Sequence, residues 1–113
     1  MSRSTYAPDR GDLVMMEFDP QTGHEQAGRR PALVLSPRAY NQRTGLCLAC
    51  PITNQQKGYP FEVALPAGSP VTGVVLSDQV KSLDWSIRRT VLRAKAPPEV
   101  VREVVAKVRT LLD

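Results

Sequence analysis

The chain has little of what metal, redox and secreted proteins depend on. Histidine occurs once, as His24, and cysteine twice, as Cys47 and Cys50. One histidine and one C-x-x-C do not complete a four-ligand zinc site, since no second cysteine pair is present. The two cysteines lie in Leu46-Cys47-Leu48-Ala49-Cys50-Pro51, which reads as an extended strand. Their Cα atoms would then stand roughly 10 Å apart on opposite faces, beyond the roughly 7 Å that a disulfide spans. Buried structural thiols are the expectation, with no metal and no cofactor. Apolar runs fall well short of the roughly 20 residues that cross a bilayer. The opening Met-Ser-Arg-Ser-Thr-Tyr-Ala-Pro-Asp lacks the apolar stretch of a signal peptide, so a cytoplasmic location without membrane contact is expected. Aromatic residues make up only 5% of the chain. Phe18 and Trp85 could stack on bases, but core packing is the preferred reading for both.

What is present is ordinary for a globular domain: 42% apolar and 23% charged residues over a length of 113. That length supports one core, so residues 1–113 are read as a single domain. Seven glycines and ten prolines recur along the sequence. They favour many short strands and turns over a helical bundle.

Acidic residues are missing from the middle third. Residues 29–61 contain Arg29, Arg30, Arg38, Arg43 and Lys57 without one Asp or Glu. By contrast, residues 1–28 set two arginines against five acids, and residues 62–113 set eight bases against six acids. A cationic block with no local counter-charge suits a polyanion, although a solvated surface is an equally available reading.

The pattern predicts a strand at Asp12 to Phe18 whose continuous Leu13-Val14-Met15-Met16 implies burial on both faces. A polar loop rich in turn formers follows to Arg30, long enough to suggest function. Further strands are expected at Pro31 to Leu35, Leu46 to Ile52, Phe61 to Leu65, Val74 to Leu76, Gln79 to Leu83 and Thr90 to Arg93, with a short helical turn at residues 36–41. Connections this short imply antiparallel pairing in a small barrel or sandwich. Pro97-Pro98-Glu99 signals a final helix, and Val100, Val101, Val104, Val105, Val108, Leu111 and Leu112 form its apolar stripe. Valine is a mediocre helix former, so this helix should depend on packing.

If the second and third strands are neighbours, the base of the long loop meets the end of strand three at one rim. Arg30 would then stand beside the hydroxyl of Thr53. A guanidinium offers a fixed fork of donors matching two phosphate oxygens, and a hydroxyl can hold a third. Cleavage of RNA by its own 2′-hydroxyl needs a proton acceptor, a proton donor and positive charge at the phosphorane. From spacing alone, a rim arginine paired with Glu25 or Asp19 is the preferred reading. His24 alone cannot supply a two-histidine acid and base scheme.

The strings Arg10-Gly11-Asp12-Leu13, Asp19-Pro20, Glu25-Gln26-Ala27-Gly28-Arg29-Arg30-Pro31-Ala32-Leu33-Val34-Leu35-Ser36, Pro51-Ile52-Thr53, Lys57-Gly58-Tyr59-Pro60-Phe61-Glu62-Val63 and Asp78-Gln79-Val80-Lys81-Ser82 resemble, in order and spacing, the MazF/PemK family of toxin endoribonucleases. The resemblance covers about Pro8 to Leu112. It implies a mainly β, antiparallel SH3-like barrel with a C-terminal α-helix, acting as a homodimer. It also implies metal-independent cleavage of single-stranded RNA to 2′,3′-cyclic phosphate and 5′-hydroxyl ends, with inhibition by a cognate MazE-like antitoxin bearing an acidic C-terminal tail.

By position, the family's catalytic arginine falls on Arg30 and its catalytic threonine on Thr53. Glu25 and Gln26 belong to the supporting loop, and Arg29, Asn54, Lys57, Gln79 and Lys81 are the expected RNA contacts. Asn54 stands where many relatives carry Ser or Thr. Because a guanidinium deprotonates only at great cost, Arg30 is read as an electrostatic clamp and acid rather than a base. Two other readings keep the fold: a toxin that binds DNA gyrase, and an RNA-binding barrel without turnover.

Overall fold

A computed structural model describes residues 6–18 and 28–113. Seven strands and two helices follow in the order β1 (Asp12–Phe18), β2 (Gly28–Val34), α1 (Arg38–Thr44), β3 (Cys47–Thr53), β4 (Glu62–Ala64), β5 (Val74–Leu76), β6 (Lys81–Leu83), β7 (Val91–Lys95) and α2 (Pro98–Thr110). All pairings are antiparallel, in the order β4-β5-β3-β2-β1-β7, with β6 added to β3. The result is a barrel-like sheet closed off by a C-terminal helix. Its end strands β4 and β7 do not pair with each other, so the barrel is open.

Alternation along the strands divides the apolar residues between two clusters. Leu13, Leu33, Cys50, Ile52, Val63 and Val75 form one with Val100 and Val104 of α2. Val14, Met16, Phe18, Ala32, Val34, Cys47, Ala49 and Leu83 form the other, against Tyr6 and Trp85. This explains the continuous apolar run of β1, which is buried on both sides as its sequence implied. Cys47 and Cys50 are free thiols on opposite sides of β3. Phe18 is in the core, and Trp85 packs on it while its indole N–H donates to the Asn41 carbonyl at 2.9 Å.

Boundaries differ from the sequence reading where packing overrides pattern. β2 begins at Gly28 rather than Pro31, because Gly28, Arg29 and Arg30 pair with Phe18, Glu17 and Met16 of β1. Gln79 lies in a 3-10 turn, Ser77–Gln79, and the following strand starts at Lys81. α1 runs on to Thr44 around the buried Asn41, whose amide donates to the carbonyls of Pro8 (2.8 Å) and Ser36 (2.9 Å) and whose Oδ1 accepts from the Ser36 hydroxyl (2.6 Å). The valine stripe of α2 is buried or half-buried as far as Val108, but Leu111 and Leu112 lie past the helix and are exposed. Among the described residues no helix is long and apolar enough to cross a membrane.

Candidate active site

Strands β2 and β3 pair at Val34↔Ala49, Leu33↔Cys50 and Ala32↔Pro51. Beyond that point β2 goes on alongside β1, and β3 alongside β5. Pro31 and Pro51 stand where the two strands part, and neither can donate a ladder hydrogen bond. Continued by two residues, the register sets Arg30 opposite Thr53. Alternation gives both the face of Ala32 and Val34, the side away from α2. Lys81, opposite Ala49 in β6, shares that face. Gln79 sits in the turn that leads into β6 and is half-buried.

Thr53 is buried at the end of β3, and its hydroxyl oxygen accepts the Gln55 N–H at 3.1 Å. A threonine hydroxyl holds one donor and two acceptor positions, so this contact orients the oxygen and leaves its proton to donate elsewhere. Asn54 is exposed, and its Oδ1 accepts from the Thr72 hydroxyl at 3.1 Å. Arg29 points to the opposite side of β2 from Arg30 and donates from Nη1 to the Arg89 carbonyl at 2.9 Å. Arg89 in turn grips the Glu17 carboxylate from Nε (2.9 Å) and Nη2 (2.5 Å). Arg29 is thereby tied to the turn before β7 rather than set beside Thr53. Glu25, Gln26 and His24 lie outside the described residues.

A family model for PemK-like, MazF-like toxins of type II toxin-antitoxin systems matches residues 9–112. The chain belongs to that family. It is 50% identical over 109 residues to the endoribonuclease toxin MazF of Escherichia coli strain K12, covering 96% of this chain and 97% of that protein. The endoribonuclease toxin ChpB of the same strain is 39% identical over 111 residues, covering 93% and 94%. Among solved structures, MazF from Deinococcus radiodurans is 60% identical, with a TM-score of 0.91 over 95% of this chain and 97% of that one. A MazE-MazF complex from the same organism is 56% identical, with a TM-score of 0.84 over 95% and 96%.

Four further hydrogen bonds in this family member went unread in its sequence. The loop after β3 carries Lys57, and the Glu62 carboxylate holds it by accepting the N–H groups of Lys57 (2.9 Å) and Gly58 (2.8 Å). Tyr59 donates to Asp78 at 2.9 Å, and Lys107 of α2 donates to the Pro60 carbonyl at 2.6 Å. Burial, reinforced by the Asp78 bond, pushes the Tyr59 hydroxyl up to about 12. The signal was available in part, since Glu62 and Asp78 are the first acids after the cationic block. Periodicity could not show that both turn back onto its last loop.

Burial also pushes the Cys47 and Cys50 thiols up to about 12. Both are therefore protonated near neutrality and poor nucleophiles. Among the described residues no three His, Cys, Asp or Glu side chains gather as metal ligands do.

Proposed function

We propose that this chain is the toxin of a type II toxin-antitoxin pair, an endoribonuclease that cuts single-stranded RNA with Arg30 and Thr53 as its catalytic residues. The observation that supports the reading is the register of β2 and β3, whose continuation past Ala32↔Pro51 would bring Arg30 of β2 and Thr53 at the end of β3 to one side of the sheet. In this mechanism the RNA 2′-hydroxyl attacks the adjacent phosphorus, and the 5′-oxygen leaves with a proton. The products are a 2′,3′-cyclic phosphate and a 5′-hydroxyl. Negative charge gathers on the nonbridging oxygens of the phosphorane, where the guanidinium fork and the Thr53 hydroxyl donate. Lys81, on the same face, and Lys57, on its anchored loop, hold flanking phosphates.

The protein works in the cytoplasm as a homodimer, restrained by an acidic antitoxin tail. Exposed apolar Ile87, Val91, Leu92, Leu111 and Leu112 support the dimer. The run of cations from Arg29 to Lys57 and the MazE-MazF complexes of D. radiodurans support the antitoxin.

The test is a labelled single-stranded RNA incubated with purified protein in EDTA, with the product ends determined. Cyclic phosphate and 5′-hydroxyl ends are expected. Arg30→Ala and Thr53→Ala should each lower cleavage about a hundredfold or more with the fold intact. Arg30→Lys should rescue poorly, because an ammonium lacks the fork. Near-full turnover by Arg30→Ala would defeat the assignment.

A further inference from the structure

The segment Thr72-Gly73, which leads into β5, packs directly on the end of β3. Thr53 pairs with Val74, and Gly73 lies over the Thr53 peptide. A Cβ built on Gly73 would stand 2.4 Å from the Thr53 carbonyl oxygen, 2.9 Å from its carbon and 3.1 Å from Asn54 Oδ1. The first two neighbours are backbone, so they cannot swing aside as the tip of a flexible side chain would. Gly73 is also at φ +118°, where an L side chain is strained. It is pinned from behind, because its carbonyl accepts the Leu65 N–H at 3.0 Å. Thr72 completes the contact through its hydroxyl, which donates to Asn54 Oδ1 at 3.1 Å.

We propose that Gly73, with Thr72, is the positioning element of the candidate active site: it sets the Thr53 peptide, and through it the Thr53 hydroxyl, at the height the RNA phosphate requires. This rests on the reading of Thr53 as catalytic. The Thr53 side chain leaves the Cα next to the carbonyl that Gly73 contacts, and on the other flank the Gln55 N–H fixes its oxygen at 3.1 Å. A methyl group at position 73 must lift that peptide, and the hydroxyl moves with it. A misplacement approaching 1 Å costs about a hundredfold when the group has to meet a transition state. RNA binding through Lys57 and Lys81 is left alone, and Asn54 is the one expected RNA contact next to Gly73 and Thr72. Gly68 provides an internal control. It lies in the same connection between β4 and β5, at φ +86°, with nothing within 4 Å of its built Cβ. Alanine there meets the backbone strain without the collision.

The experiment measures kcat and KM on a short single-stranded RNA, well below each variant's Tm, for Gly73→Ala, Gly68→Ala, Thr72→Val, Thr53→Ala and the Gly73→Ala/Thr53→Ala double variant of the full chain. Gly73→Ala should lose about 10- to 100-fold in kcat with KM within about threefold, while Gly68→Ala, though similarly less stable, keeps both within about twofold. The double variant should cut no more slowly than Thr53→Ala alone, since residue 73 acts only through residue 53. Wild-type kcat in folded Gly73→Ala, or losses that multiply in the double variant, would overturn the proposal. If Gly73→Ala does not fold, Thr72→Val decides: about a threefold or greater loss of kcat at constant KM is expected, and wild-type kcat overturns it. Full activity in Thr53→Ala would instead remove the active-site reading beneath it.

Discussion

The two faces of the sheet are built from the same strands and do opposite work. Toward α2, β1, β2 and β3 present Leu13, Leu33, Cys50 and Ile52, bulky side chains for the most part, which Val100 and Val104 cover. On the other side β2 and β3 present Ala32, Val34, Cys47 and Ala49, smaller groups on the whole, and their parted ends add Arg30 and Thr53. One face is filled where α2 covers it, whereas on the other β2 and β3 are apolar as far as the prolines and polar beyond them. Because side chains alternate with a period of two, the packing of the first face dictates the chemistry of the second. A slip of one residue in register would bury Arg30 under the helix and turn Leu33 outward. The filled face therefore positions the polar one, though none of its residues needs to touch substrate.

The hardest way to break this arrangement is to charge the filled face. Val104 is fully buried, and Val104→Asp puts an unpaired carboxylate beneath the sheet at a cost of several kcal/mol. Loss of the folded far-ultraviolet circular dichroism spectrum at 25 °C is expected, and a stable fold would mean that α2 is not the lid of this face.

The two thiols compare the faces directly, one on each side. An unfolded thiol loses its proton near its ordinary value of 9.0, whereas the folded ones hold theirs to about 12. Between those values the folded state binds more protons than the unfolded one, so stability is full below about pH 9 and falls as pH rises. Each thiol contributes a slope of about 1.4 kcal/mol per pH unit. Denaturant titrations from about pH 8 to 11 should show Cys47→Ala and Cys50→Ala each removing one such slope. Equal slopes in the wild type and both variants would show that the thiols are accessible to water.

The smallest effect concerns Ser77, in the turn before β6. Its hydroxyl is buried and, among the described residues, is the one buried side-chain polar atom without a hydrogen-bond partner. Ser77→Ala removes the orphan and should raise stability by about 1 kcal/mol in urea titration. A loss of similar size would mean that the hydroxyl has a partner in solution.

Much of this was legible from the residues. β1 and β5 have the bounds read for them, since a two-sided apolar run and a Val-Val-Leu segment leave little choice. The separation of Cys47 and Cys50 followed from strand geometry alone. Gly28-Arg29-Arg30 was not read as strand because nothing apolar marks it, and its conformation comes from pairing with β1. Within α1 lies Asn41, a buried polar residue whose side chain is satisfied by Ser36 just before the helix and by the distant Pro8 carbonyl, and which periodicity scores as surface. In the candidate site, the nearness of Arg30 and Thr53 could be anticipated because the second and third strands follow one another in the chain, whereas their catalytic assignment comes from the family resemblance and stays a proposal. Gly73 could not be read: its contact with Thr53 depends on the pairing of β3 with β5, which the sequence does not state, and a glycine in a turn-rich segment looks like any other turn residue. Nor did the sequence reveal that Arg29 faces away from Arg30, since an adjacent pair of arginines looks alike until the strand assigns them sides.

The pairing of β1 with β7 joins segments far apart in sequence, and α2, which follows β7, supplies Val100 and Val104 to the core beneath β2 and β3. Contacts so distant in sequence form late, because the intervening chain must close before they are rewarded. A nascent chain that still lacks these elements is therefore expected to be inactive. A nascent chain that has emerged only as far as Thr53 contains both proposed catalytic side chains but neither the β5 strand that flanks Thr53 nor the helix that fixes the sheet. For an enzyme that would cut messages, including its own, the delay separates translation of the chain from its first turnover.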